Sequence, residues 1–333
     1  MLNNYLIVFI YTKKDNITSI NLDSIKYNNP NIPIVEVHTS DFQNIYYDFL
    51  GKKPIISWSI RELWYGCDNI FLYWYLSNDH IRAKNYILIE WDTFVHNTSL
   101  INFFGNQIIE NEGITAAKII TKTKEPNDYW FTQQKDNKLL NHFYGIEHTK
   151  KYTPMSCTTI SDKCVQDIIA HIQNNPECNQ LYIETKFATI ASYLGYPLQQ
   201  YNNNVSNYIS YHENICERTL AKLTNNGNNK NFQGVFHPIK KYSIYRKYFM
   251  NQKNNYQLKD NINIISAIYG SGIDLKEDII DLLSKKNNIS INNEIGGDPL
   301  PHKKKSLFLT YEKNGQIYRK IIPESSTLDL NSL

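Results

Sequence analysis

The chain has 333 residues, 41% of them hydrophobic and 20% charged, a composition that fits a globular protein with one large and one small core. Its net charge of +3 is too small for a nucleic-acid binder, which needs a strongly basic face. Cys67, Cys157, Cys164, Cys178 and Cys216 are odd in number and form no C-x-x-C pair, which excludes a disulfide framework and a structural zinc site.

The first apolar run, Tyr5 to Tyr11, follows Met1-Leu2-Asn3-Asn4, which lacks the basic start of a secretory signal. The run is also too short to span a membrane. The expected location is therefore the cytoplasm, and the sequons at Asn16, Asn97, Asn204 and Asn288 are expected to stay bare. Tyr5 to Ile10 predicts a buried first strand, and Pro33 to Val37 a second. Uninterrupted apolar runs of this kind belong to strands covered on both faces, as in α/β proteins. Next comes a predicted helix with Ile60, Leu63, Trp64, Cys67, Phe71, Trp74 and Tyr75 at three- and four-residue spacing. Ser59 and Glu62 supply a capping box at its start. Arg61 in its first turn is placed to meet a phosphate, and Asp68 and Asn69 on its polar side are placed to face a nucleotide.

The strand Tyr86 to Ile89 then ends in Glu90-Trp91-Asp92. Residues i and i+2 of a strand point the same way, so the two acids can converge where α/β sheets bind ligands. Paired oxygen ligands suit Mn²⁺ or Mg²⁺. Taken alone, an acid-x-acid triplet is more often a strand end that faces solvent or meets an Arg. Gly113 to Thr121 and Pro154 to Ile160 predict further strands. Ser161 is a predicted cap for a helix with Cys164, Val165, Ile168, Ile169 and Ile172 on its apolar face. Another helix runs from about Glu184 to Leu194 and stops at Gly195.

Residues 251–261 turn polar and read as a linker. Beyond them lie predicted strands at Ile262 to Tyr269, Ile289 to Ile291, Leu307 to Tyr311 and Gln316 to Ile322, with a short helix at Asp278 to Leu283. The Asn314-Gly315 pair signals a hairpin between the last two long strands. The expected organisation is thus an α/β domain over 1–250, a linker, and a small β-sandwich-like domain over 262–333.

The order of strand, helix, strand and acid-x-acid resembles the GT-A fold of glycosyltransferases, with Glu90-Trp91-Asp92 as a variant of the D-x-D motif. Tyr182-Ile183-Glu184, with Phe187 and Gly195, resembles the acceptor-side acidic segment of inverting members. Phe236-His237-Pro238-Ile239-Lys240 resembles their C-terminal histidine segment. The resemblance covers residues 5–245 and departs from the pattern at Glu90, which stands where the first Asp is expected. It implies a mixed, mainly parallel sheet and transfer from a nucleotide-sugar, a UDP-sugar by frequency in the family, to a glycan or protein acceptor. Asp92 and His237 would hold Mn²⁺ or Mg²⁺, and Lys240 would meet the diphosphate. Glu184 would serve as base with inversion. Tyr11, Thr12, Arg61 and Glu90 would contact the nucleotide. The alternative is an inactive, transferase-like carbohydrate-binding or virion structural protein.

The C-terminal segment resembles a small β-domain of some DnaJ-related and large-virus proteins, through Ala267-Ile268-Tyr269-Gly270, Ile279 to Leu283, Gly296-Gly297-Asp298-Pro299 and Leu307 to Tyr311. That resemblance implies a binding or self-association module. With the Asn-, Ile-, Lys- and Tyr-rich composition, it places the protein in a giant virus, in host cytoplasm or virion.

Overall fold

The computed structural model of the protein describes residues 3–12, 14–39, 67–104, 107, 112–127, 129–132, 140–153, 156–181, 183–202, 208–209, 213–225, 232–249, 258, 262–296 and 303–333. Arg61, the predicted capping box at Ser59 and Glu62, nearly all of the predicted linker and Gly297 to Pro301 lie outside the described residues. The chain divides into two compact units, one of residues 1–14, 20–219 and 233–238, the other of 15–19, 220–232 and 239–333.

The first unit is an α/β structure. Strands β1 (Asn3–Tyr11), β2 (Ile34–His38), β3 (Ala83–Glu90), β4 (Phe94–His96), β5 (Ile114–Ala116), β6 (Lys118–Thr121), β7 (Lys150–Thr153), β8 (Thr158–Ser161), β9 (Leu198–Gln200) and β10 (Gly234–Phe236) follow in chain order. Six of them form a sheet in the order β2-β1-β3-β8-β5-β9. β2, β1 and β3 run parallel, β8 runs antiparallel to both β3 and β5, and β9 is parallel to β5. The sheet is mixed and mainly parallel.

The apolar runs of β1 and β3 are buried on both faces. Leu6, Val8, Tyr86 and Leu88 join one core with helices α2 (Cys67–Ser77), α3 (Asp162–Asn174) and α4 (Ile183–Tyr193). Ile7, Phe9, Ile87 and Ile89 join the other with α1 (Asn16–Asn28) and a short helix at Leu100–Phe104. Trp74 is a core residue.

Helix α1 has no strong signature in sequence, because its Asn, Ser and Thr residues are poor helix formers. The Asp15 side chain starts it by accepting from the Thr18 backbone N–H at 2.8 Å. The predicted strand Gly113 to Thr121 divides at Ala117, so that β5 enters the main sheet while β6 pairs with β7. Gly113 is required where it stands, because a Cβ there would lie 2.1 Å from the Pro197 carbonyl oxygen. Ser161 takes the extended cap conformation before α3, but its hydroxyl makes no cap hydrogen bond. Asn69 of α2 does not face a nucleotide: it is buried and accepts from the equally buried Lys186 ammonium at 2.9 Å.

A polar cluster lies at the end of the sheet where the interior strand β3 begins. Asp162 accepts from the hydroxyls of Tyr75 and Tyr86 at 2.8 Å each, and from Gln166 at 2.7 Å. Asp162→Ala strands the fully buried Tyr86 hydroxyl, so it is expected to destabilise the protein by about 2 kcal/mol. Chemical denaturation would measure this, and a loss below about 0.5 kcal/mol would mean water replaces the carboxylate.

The second unit is built on strands β11 (Ile262–Tyr269), β12 (Ile273–Asp274), β13 (Asn288–Ser290), β14 (Ser306–Lys313), β15 (Gln316–Pro323) and β16 (Thr327–Asp329). β12-β11-β14-β15 form an antiparallel sheet, and β13 pairs with β16. Asn314 and Gly315 turn the β14–β15 hairpin with φ of 51° and 79°. Both values belong to the type I′ turn that suits the twist of the strands. Helices α5 (Tyr242–Phe249) and α6 (Lys276–Lys285) complete the unit, and α6 packs on β11.

Candidate metal centre

The parallel register places the carboxyl ends of β2, β1 and β3 side by side, with Tyr11 opposite His38 and Ile10 opposite Glu90. Beyond β3 the chain does not continue as a strand. Trp91 and Asp92 form a turn closed by the Thr93 N–H donating to the Glu90 carbonyl at 3.1 Å. The two acids therefore meet through a turn rather than through the pleat that the sequence suggested.

Behind the turn, β4 pairs antiparallel with β10, Phe94 opposite Phe236 and His96 opposite Gly234. One step further along this register, His237 comes beside Thr93 and the acid turn. Its backbone N–H donates to the Tyr208 carbonyl at 3.2 Å, which fixes the start of the His237 segment. A three-residue ladder thus joins segments about 145 residues apart. Its brevity is why sequence patterning missed both strands.

Three side chains converge there. His237 Nε2 lies 3.1 Å from Glu90 Oε2 and 3.1 Å from Asp92 Oδ1. Asp92 and His237 are buried and Glu90 is partly exposed, so the cluster is open on the Glu90 side. Burial works against a charged imidazole, but the Asp92 and Glu90 carboxylates outweigh it and hold the His237 pKa up to about 10.

The donor set fits a divalent cation. One ligand atom from each residue lies within 4.8 Å of the others. Two ligands at right angles, each about 2.1 Å from a cation, are roughly 3.0 Å apart, close to the histidine–carboxylate spacings here. Two carboxylates and one imidazole suit Mn²⁺ better than Mg²⁺, which prefers an all-oxygen shell.

The turn is braced from two sides. Asn21 of α1 donates to the Trp91 carbonyl at 3.0 Å, and the buried hydroxyls of Thr93 and Ser156 are hydrogen-bonded to each other. Next to Ser156, Cys157 has a φ of 59°, a left-handed conformation that costs a non-glycine residue about 1 kcal/mol. The Tyr201 hydroxyl holds it there by donating to the Cys157 carbonyl at 3.0 Å. Burial, with the negative charges of Glu90 and Asp92, pushes the Cys157 thiol far up, so it is no thiolate nucleophile. Asn21, Thr93 and Ser156 escaped sequence reading because a hydroxyl or amide that braces a turn has no spacing signature.

Tyr11 lies half-buried at the end of β1, its ring edge-on to His38 with centroids 4.9 Å apart, and the Lys14 ammonium is 5.8 Å from its centroid. Thr12 follows it, also half-buried. Glu184 occupies the first turn of α4, where a carboxylate is favourable in any case. Lys240 is half-buried and falls in the second unit. Among the described residues, then, the fold brings Glu90, Asp92 and His237 together.

No protein-family model and no curated protein matches the sequence. Among solved structures, the chain is similar to the galactosyltransferase LgtC in complex with donor and acceptor sugar analogs. The identity is 15%, the match covers 59% of this chain and 72% of that one, and the TM-score is 0.31. A glutamine-to-glutamate active-site mutant of LgtC aligns at 12% identity over 62% of this chain and 80% of its own, with a TM-score of 0.31. Among the described residues, no helix is long and apolar enough to cross a membrane.

Proposed function

We propose that the protein is a metal-dependent glycosyltransferase that moves a sugar from a nucleotide-sugar to a glycan or protein acceptor. The observation that carries this reading is the convergence of Glu90, Asp92 and His237 at the carboxyl end of the parallel strands. A divalent cation bound there would neutralise the diphosphate leaving group as the glycosidic bond breaks. Asp92 and His237 would hold it, and Glu90, on the open side, would meet its remaining positions or the ribose. Tyr11, which ends β1, and Thr12, which follows it, would contact the nucleoside. Arg61 and Lys240, the latter three residues after His237 in the chain, would contact the phosphates. UDP is the proposed nucleoside diphosphate, Mn²⁺ the proposed cation, and residues 1–250 the proposed transferase domain, with residues 262–333 as an accessory module. The composition and the resemblance of that module to large-virus domains support a site of action in host cytoplasm or virion.

Glu184 is the proposed base, which would deprotonate the acceptor hydroxyl for an in-line displacement with inversion. Glu184→Gln is then expected to lower kcat by about 10²- to 10⁴-fold while leaving metal-dependent nucleotide binding intact. Unchanged kcat would reduce Glu184 to a helix-turn carboxylate and remove the argument for inversion.

A second reading draws on the same geometry. The protonated His237 already neutralises one carboxylate, so the cluster can stand as a structural ion pair in an inactive, carbohydrate-binding relative. Thermal-shift measurements with nucleotide sugars, with and without Mn²⁺, separate the two. A ligand at 100 times its Kd stabilises by about 2.7 kcal/mol, well within detection. A protein that shows no metal-dependent shift and no donor hydrolysis with any nucleotide sugar would overturn the enzyme reading.

A further inference from the structure

The sheet of the second unit has two unlike faces, and among the described residues only one is covered. Leu307, Leu309 and Tyr311 of β14 point inward with Ile262, Ile264, Ala267 and Tyr269 of β11, all buried. Ile279, Leu282 and Leu283 of α6 are buried with them. A bulge between Ile264 and Ser266 lets both halves of β11 face inward, and it leaves Ile265 outside.

The outer face is apolar as well. Ile268, Phe308 and Ile321 lie in one cross-strand row over three strands, and Ile317 lies beside Glu312 at the hairpin end. Phe308 is 47% exposed, Ile321 64%, Ile317 67% and Ile265 40%. Scattered apolar residues on a surface are ordinary, but a contiguous row on a rigid sheet marks an interaction site.

We propose that this outer face docks against the same face of a second copy of the chain. The argument for a second copy is the charge pattern. Within β14 and β15 the face carries one cation, Arg319 opposite Thr310, and one anion, Glu312 opposite Ile317. Neither forms a salt bridge among the described residues, although they are diagonal neighbours. A two-fold axis that exchanges Arg319 of one copy with Glu312 of the other makes two ion pairs at once, the self-complementarity an isologous interface requires. The remaining charge, Asp274 opposite Ile268, stands at the far edge of the sheet on β12. A face built for an anionic lipid surface would carry cations alone, whereas this one carries Glu312 as well as Arg319.

Size fixes the strength. Three strands of eight residues, with about 4.8 Å between strands and 3.3 Å per residue, span roughly 14 by 26 Å, or about 370 Å² on each copy. Doubled, that area lies in the range of weak, reversible interfaces below about 1,200 Å². A micromolar dimer is therefore expected, one that leaves the monomer folded.

Sedimentation velocity on the full chain up to about 100 μM tests the idea. The parent should show a reversible monomer–dimer equilibrium, and Phe308→Lys should weaken it at least tenfold, with an unchanged circular dichroism spectrum. Arg319→Glu should weaken it similarly, and adding Glu312→Arg to that variant should restore it, because the ion pairs re-form with their signs reversed. A parent that stays monomeric throughout overturns the proposal, and so does a double variant no stronger than Arg319→Glu alone. A monomer that instead cosediments with anionic vesicles assigns the face to membranes and overturns it too.

Discussion

Asp92→Asn is expected to reduce metal-dependent donor turnover by about 10³-fold or more, and to abolish the stabilisation that Mn²⁺ confers. The substitution keeps side-chain volume, which matters because Asp92 is buried. It removes one of two anions that face a single imidazole, and a neutral amide oxygen is a far weaker ligand than a carboxylate. The chelated protein should respond differently. Without a cation, the parent holds two carboxylates against one imidazolium, each only 3.1 Å from Nε2. With the amide in place of the Asp92 carboxylate, the Glu90–His237 pair still balances its own charge, so the melting midpoint in chelator should move much less than it does with Mn²⁺.

That contrast is what makes the variant decisive. If the cluster existed to stabilise the fold as an ion pair, breaking its buried partner would cost roughly 3 kcal/mol or more in chelator, and Mn²⁺ would make no difference. Melting curves of parent and variant, each with chelator and with Mn²⁺, give four numbers. A fall in the chelator midpoint with no change in the metal response would overturn the metal site and, with it, the proposed transferase.

Sequence carried the α/β architecture because β1 and β3 are apolar on both faces, which only a doubly covered sheet allows. It also flagged Glu90 and Asp92, since two acids at the end of an apolar strand are costly without a partner. What it could not show was how His237 reaches them. The β4–β10 ladder has three residues per strand, too few to produce a period, and Gly234 to Phe236 is buried throughout rather than alternating. Helix α1 was hidden for a different reason. Its buried residues Leu22 and Ile25 are spaced as a helix requires, but polar residues with low helix propensity surround them. Tertiary packing on the sheet decides that segment. The break at Ala117 belongs to the same class, because two short runs that pair in different sheets read as one strand until their partners are known.

The remaining large effect is a pH dependence, and its sign follows from His237. The folded-state pKa of about 10 lies above the ordinary value of 6.5, so the folded protein holds this proton more tightly than the unfolded chain does. The stabilisation from the protonated ring is therefore complete below about pH 6.5 and is lost as pH rises through about 10. In chelator, the melting midpoint should decline between pH 7 and pH 9.5, and His237→Gln should flatten that decline. Cation binding should follow the opposite trend. Nε2 cannot hold a proton and a cation together, and with its pKa raised by Asp92 and Glu90 the ring is mostly protonated at pH 7. Apparent Mn²⁺ affinity should then rise by about tenfold per pH unit, close to 100-fold between pH 7 and pH 9. Titration calorimetry in weakly coordinating buffers would read the slope directly. A flat profile in the parent would remove His237 from the ligand set, whereas a steep profile that His237→Gln abolishes would show that one proton and one cation compete for the same nitrogen. Stability and affinity moving in opposite directions over the same pH window is a signature that neither a solvent-facing acid pair nor a structural ion pair would produce.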